Sequence, residues 1–213
     1  MRIALVHALK HSIVPIEAAF ASHWPDARLM NLLDDSLSAD VARDGGITEA
    51  MTERFLKLGR YAKGAGADAI LFTCSAFGAC IEAVAREQAP MPVLKPNEAM
   101  IEQAVGQFVG KGRRIGLLST FAPTLVSMPP EFPGSVEIVP KLAEGALAAL
   151  DRGDRGEHDR LVAEASKDLR DCDLIALAQY SMAPAASLVA EASGRPVVTT
   201  PDSAVLKLKR ALG

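Results

Sequence analysis

Three cysteines in 213 residues, Cys74, Cys80 and Cys172, with no CxxC pair, are too few and too scattered for a disulfide framework or a zinc ribbon. No His/Cys/Asp spacing matches a metal site. No glycine-rich phosphate loop is present: Gly64-Ala-Gly66 precedes an apolar strand instead of opening a helix, so a dinucleotide reading fails. No apolar run reaches the roughly 18–20 residues of a membrane span, and the run from Met1 to His7 is too short for a signal peptide and reads as a first strand. Charge of one sign is also lacking. A net charge of -3 gives no electrostatic pull towards nucleic acid or an acidic membrane. These absences leave a soluble, reduced, cytoplasmic protein as the expectation.

What is present is hydrophobic residues, 49% of the chain, ample for one compact domain or two small lobes. The organising stretch is Asp68-Ala-Ile-Leu-Phe-Thr-Cys74-Ser-Ala-Phe-Gly-Ala-Cys80. Ala69 to Phe72 reads as a buried strand. An amphipathic pattern follows, with Ile81, Val84 and Ala85 on one face and Glu82, Arg86 and Glu87 on the other. Cys74 therefore falls between a strand's C-terminal end and a helix start, where α/β folds bind ligands. Free N–H groups and the helix dipole there favour an anion, including a thiolate.

Read in order, Arg2 to Val6 is strand 1, and His7 to Ser12 is a loop in which Ser12 caps a helix from Val14 to His23. Arg28 to Leu32 is a second strand, followed by a polar loop from Asp34 to Asp44. Helices are expected over Thr48 to Lys63 and Glu98 to Val109, and a short strand lies between Pro90 and Pro96. The basic loop from Gly110 to Arg114, with Lys111, Arg113 and Arg114, is read as solvated. The second half then repeats the first. Arg2-Ile-Ala-Leu-Val aligns with Arg114-Ile-Gly-Leu-Leu at an offset of 112, and Asp68 to Cys74 aligns with Asp173 to Gln179 at an offset of 105. The latter offset carries on without a gap to Pro96-Asn97-Glu98-Ala99 and Pro201-Asp202-Ser203-Ala204. Such a repeat predicts two pseudo-symmetric α/β lobes, each with a mainly parallel sheet flanked by helices. The boundaries are 1–97 for lobe 1, completed by 200–213, and 98–199 for lobe 2.

Facing lobes would put equivalent strand tips on opposite walls of one cleft. One wall carries Cys74 with Thr73 and Ser75, and the other carries Gln179 with Tyr180 and Ser181. The strand 1 tips add His7, His11 and Ser12 on one side, and Ser119, Thr120 and Thr124 on the other. Hydroxyl groups and helix starts of this kind suit a small carboxylate, although Ser and Thr there equally serve as caps.

The tip motifs Phe72-Thr-Cys74-Ser-Ala-Phe-Gly78 and Leu177-Ala-Gln179-Tyr-Ser181, with Thr199-Thr-Pro-Asp202, resemble the aspartate/glutamate racemase superfamily. That group includes amino-acid and hydantoin racemases, maleate isomerase and arylmalonate decarboxylase, and the resemblance spans essentially the whole chain. It implies cofactor-independent chemistry at a carbon beside a carboxyl group of an amino acid, hydantoin or dicarboxylate, and homo-oligomers. Its racemases use a cysteine on each face as acid and base. Here Gln179 stands in place of the second cysteine, and an amide neither takes nor gives a proton at neutral pH. Cys172 precedes its strand and lies at the far end. Cys74 then serves as nucleophile or base, with His7 or Tyr180 as the available second base. Isomerisation through a Cys74 adduct, decarboxylation or lysis with protonation on one face, racemisation with another base, and a fold that only binds a small acid all remain open.

Other candidates have simpler readings. Cys80 and Cys172 are read as structural thiols, and Asp202 as a helix cap. His23 and His158 are placed on surface helices, and Glu144 to Glu157 as a solvated helix pair.

Overall fold

A computed structural model of the chain describes residues 1–106 and 113–213. The expected continuation of a helix to Val109 and the first part of the basic loop, with Lys111, lie outside the described residues. Two compact units divide the chain: unit 1 is Met1–Glu98 with Ala204–Gly213, and unit 2 is Ala99–Ser203. In chain order the elements are β1 (Arg2–His7), α1 (Ile13–His23), β2 (Arg28–Leu33), α2 (Leu37–Asp44), α3 (Glu49–Gly64), β3 (Ala69–Phe72), α4 (Gly78–Gln88), β4 (Val93–Leu94) and α5 (Glu98–Gly106). They continue with β5 (Arg113–Ser119), α6 (Thr124–Ser127), β6 (Val136–Leu142), α7 (Ala146–Asp151), α8 (Arg155–Ser166), β7 (Leu174–Leu177), α9 (Ala186–Ser193), β8 (Val197–Thr199) and α10 (Thr200–Leu212).

Each unit holds one four-stranded parallel sheet, in the order β2-β1-β3-β4 in unit 1 and β6-β5-β7-β8 in unit 2. The α/β class and the internal repeat expected from the sequence are both present. The repeat extends to individual hydrogen bonds. The Asp68 carboxylate accepts the Arg2 N–H at 2.7 Å while the Asp68 N–H donates to the Arg2 carbonyl at 2.8 Å. In unit 2 Asp173 does the same with Arg114, at 3.0 and 2.8 Å. Beyond the sheet's other end, Asp34 N–H donates to the His7 carbonyl at 3.0 Å, as Ala143 N–H does to that of Ser119 at 2.8 Å.

The central strands are apolar because both of their faces are covered, as parallel sheets require. Every residue of β3 and β7 is buried, while the edge strand β2 alternates between partial and full exposure. In unit 1, Phe55 of α3 lies 5.3 Å from the Phe72 ring and 4.9 Å from the Phe77 ring, closing the core beneath the β3 tip. Gly59 lets α3 approach α4, since a β-carbon there would meet Val84 Cγ1 at 2.6 Å.

Several local expectations are corrected. The segment after β2 is not all loop: Leu37 is buried and anchors α2, and Arg54 ties Asp34, Ser36 and Asp40 together. Ser12 precedes α1 but makes no side-chain cap; its hydroxyl donates to the Leu9 carbonyl at 2.7 Å. Thr199, before α10, accepts the Asp202 N–H at 3.3 Å, so Asp202 sits inside the first turn and is not the cap. His158 is fully buried, with Nδ1 2.6 Å from the Asp159 carboxylate; it lies on the inward face of α8, whose other face, with Arg155, Arg160 and Glu164, is exposed. Strand β6 went unread because its polar residues and Pro140 break the apolar pattern, which an edge strand tolerates. No helix among the described residues is long and apolar enough to cross a membrane.

Replacing Phe55 with Ala removes the ring shared by Phe72 and Phe77. Large-to-small changes of this kind cost about 3–5 kcal/mol, and urea unfolding of Phe55→Ala is expected to show a loss of that size.

Candidate active site

In unit 1 the ends of β1 and β3 bring together His7, Ser12, Thr73 and Cys74. The last ladder bond, Thr73 N–H to the Val6 carbonyl at 3.0 Å, holds Thr73 against strand 1. Cys74 is the first residue released from the sheet, extended at φ -125° and ψ 123°, and it begins a tight turn over Ser75–Phe77. Its thiol is partly buried and packs on the core that contains Phe55, Phe72 and Phe77. The hollow that Cys74 lines with His7, Ala8, Leu37 and these rings is too narrow to hold a water molecule. Ser75 is exposed, and His11 is partly buried in the turn before α1.

Burial pushes the Cys74 thiol above its ordinary value, and the Ala76 N–H bonded to the sulfur acts in the other direction without outweighing it. Desolvation disfavours the charged form. The sequence-based expectation of a thiolate favoured by a helix start is therefore reversed at rest: a turn of three residues intervenes before α4, and apolar rings flank the sulfur. Cys74 rests as the neutral thiol. Cys80 is buried in the core, with its sulfur 3.5 Å from Thr52 Oγ1, and Cys172 is buried before β7.

His7 is fully buried, and its tautomer follows from its neighbours. Asn31 donates through Nδ2 to Glu17 Oε1 at 2.7 Å, which turns Asn31 Oδ1 towards the ring. His7 Nε2–H then donates to that oxygen at 3.0 Å. Nδ1 is left as the acceptor, with Thr73 Oγ1 at 2.9 Å and Ser12 Oγ at 3.4 Å. Thr73 and Ser12 hydroxyl oxygens are 3.0 Å apart. Burial is the largest influence on His7 and holds it below its ordinary value, against the Asn31 bond and the Glu17 charge. Both ring nitrogens are thus engaged by neutral partners. Sequence reasoning missed Asn31 and Glu17; the signal was a lone polar residue within the apolar run Leu29-Met30-Asn31-Leu32.

In unit 2 the equivalent strand ends bring together Ser119, Thr120 and Gln179. Gln179 Oε1 accepts from the Thr120 N–H at 2.7 Å and Thr120 Oγ1 at 2.8 Å, and lies 3.0 Å from Ser119 Oγ, whose one hydrogen also reaches the Phe121 carbonyl at 3.0 Å. Tyr180 and Ser181, expected beside Gln179 at a ligand-facing tip, are buried in the turn that leads to α9, and Thr124 is buried at the start of α6. The Tyr180 hydroxyl has no hydrogen-bond partner among the described residues, and burial pushes its pKa upward. No group of three or more His, Cys, Asp or Glu side chains among the described residues is arranged to hold a metal ion.

Two α/β units are built on one plan, each around a four-stranded parallel sheet, with a thiol at one central strand tip and an amide at the other. A family model for Asp/Glu/hydantoin racemase matches residues 15–208, and the chain belongs to that family. Among solved structures it is similar to glutamate racemase isoform RacE1 from Bacillus anthracis, at 14% identity and a TM-score of 0.72 over 99% of this chain and 80% of that one. It is similar also to allantoin racemase from Klebsiella pneumoniae, at 19% identity and 0.74 over 100% and 87%. A mutant of arylmalonate decarboxylase with associated sulfate matches at 17% identity and 0.67 over 99% and 92%. No curated protein sequence matches the chain significantly.

A neutral, buried His7 leaves a pH signature. As pH falls through about 6.5 the unfolded chain takes up a proton that the folded chain resists. The stability His7 contributes is present above that pH and is lost progressively towards its lower folded value. Asp34 and Asp40, also held low, titrate below about pH 4 and do not overlap this window. Urea midpoints are expected to fall between pH 7.5 and 5 in the parent protein and to fall less in His7→Gln. An equal fall in both would place the titration elsewhere.

Proposed function

We propose that the chain is a cofactor-independent racemase- or isomerase-family enzyme acting on a small carboxylic acid of the amino-acid, hydantoin or dicarboxylate type. Cys74 is its single proton-transferring or nucleophilic thiol. The observation that carries this reading is the position of Cys74 in a member of the racemase family: two residues past the end of a doubly buried strand, on an apolar wall. A thiol there exchanges a proton with the carbon next to the carboxyl group, whose electron pair passes into the carboxyl oxygens. Thr73 and Ser12 position the strand end, and His7, with both nitrogens occupied, orients the Thr73 hydroxyl.

A second reading, a decarboxylase or lyase that protonates on one face, is favoured by the resting state of the thiol. A cysteine that burial keeps protonated is ready to give a proton before it can take one. In that case a carbon–carbon bond breaks, its electron pair stays on the substrate carbon, and the Cys74 proton quenches it.

Cysteine-resolved alkylation followed by mass spectrometry, with and without aspartate, glutamate, allantoin and arylmalonates, tests the reading. Cys74 is expected to react ahead of buried Cys80 and Cys172, faster as pH rises, and to be protected by one of the acids. Incubation of that compound in deuterium oxide separates the reactions: exchange at the carbon with loss of optical activity and no loss of carbon marks racemisation, and a deuterated product with release of carbon dioxide marks decarboxylation. Cys74→Ser is expected to lower turnover by roughly 10²–10⁴-fold. Protection without any turnover would leave a binding protein of the same fold, and an unprotected Cys74 with no exchange would overturn the enzyme reading.

A further inference from the structure

The amide at the β7 tip has a fixed direction. Oxygen and nitrogen of a glutamine side chain are distinguished by their partners. A backbone N–H can only donate, and that of Thr120 lies 2.7 Å from one end of the Gln179 amide. That end must be the oxygen, because the reversed amide would set N–H against N–H. The Thr120 hydroxyl donates to the same oxygen at 2.8 Å, and Ser119 Oγ lies 3.0 Å from it, its single hydrogen divided between that oxygen and the Phe121 carbonyl, also at 3.0 Å. Ser119 is itself held by the Phe121 N–H, which donates to its oxygen at 3.0 Å. With the Thr120 N–H and hydroxyl both on Oε1, Nε2 and its two hydrogens are turned away from Thr120. No described residue accepts a bond from Nε2, and Gln179 keeps partial exposure between buried Ala178 and Tyr180.

We infer that Gln179 is a substrate-contacting donor: its pinned amide presents Nε2–H groups to a carboxylate oxygen of the ligand, in unit 2, as an uncharged and proton-inert group. This rests on the reading above that the ligand is a small carboxylic acid, and deepens it. Two outward N–H groups accept no donor, so the ligand group they meet is an acceptor and not an ammonium. An amide stabilises a carboxylate, or the negative charge that builds on its oxygens during proton transfer, by hydrogen bonding alone. Because the two Thr120 donors fix the amide in the free protein, no rearrangement of Gln179 is needed on binding.

The test is a titration of ¹⁵N-labelled protein with malonate, glutamate and phenylmalonate, with binding measured independently by calorimetry. The Gln179 side-chain pair is assigned by its absence in Gln179→Glu. In the parent protein that pair is expected to shift along the calorimetric saturation curve of the acid that binds. In Gln179→Glu one carboxylate oxygen inherits the Thr120 donors, while the other presents lone pairs and charge in place of N–H groups, so the same acid is expected to bind roughly tenfold or more weakly. Binding that leaves the Gln179 pair unmoved, or that is as tight in Gln179→Glu, overturns the inference and leaves the small-acid reading intact. Absence of binding by any acid overturns both.

Discussion

Burial of β3 on both faces is the constraint from which the candidate site follows. A strand with apolar side chains above and below has no polar group to spare until it leaves the sheet, so chemistry is displaced to its tip. The same burial removes the usual determinant of register. In a half-buried strand a one-residue slip exposes the hydrophobic set, whereas in β3 both sets are apolar and the pattern is nearly indifferent. The clamp between Asp68 and Arg2 supplies what the pattern does not, because it locks the strand's first residue against its neighbour with a charged acceptor and a backbone donor. Thr73 and Cys74 are then delivered at a fixed height beside His7. Asp173 and Arg114 repeat the clamp for β7 and deliver Gln179.

One backbone plan therefore carries two different chemical groups. At the β3 tip the thiol meets aromatic rings, and low polarity dominates the single N–H bonded to its sulfur. At the β7 tip the amide oxygen meets the N–H and hydroxyl of Thr120, and no charge is involved. The first environment sets the energy of an ionisable group; the second sets the direction of a group that does not ionise.

The class of fold, the parallel sheets, the repeat and the position of Cys74 were legible because they depend on apolar runs and on spacing, which a sequence carries directly. The offset of 105 between Asp68 and Asp173 was in effect a record of the clamp, although its hydrogen bonds were not visible. Helix α2 was hidden because its inward anchor is essentially Leu37, with ion pairs to Arg54 replacing an apolar stripe. The protonation of Cys74 was misjudged because a helix dipole can be read from sequence order, whereas the rings that desolvate the sulfur come partly from α3, many residues upstream. The burial of Tyr180 and His158 was hidden for a related reason: polarity predicts exposure only until the surrounding helices are packed.

The proposed one-thiol mechanism narrows through the same environments. Racemisation requires a second group that exchanges protons with the substrate carbon. The Gln179 amide cannot do so, and the Tyr180 hydroxyl is buried with its ionisation disfavoured. His7 has the right intrinsic range, but Asn31 takes its proton-bearing nitrogen and the Thr73 hydroxyl engages the other. Enlisting His7 through Nδ1 would break its bond with the Thr73 hydroxyl, at about 1 kcal/mol net and more if a partner is left unsatisfied, before any proton moved. A reaction in which Cys74 handles the proton on one face, and solvent restores it, asks least of this structure.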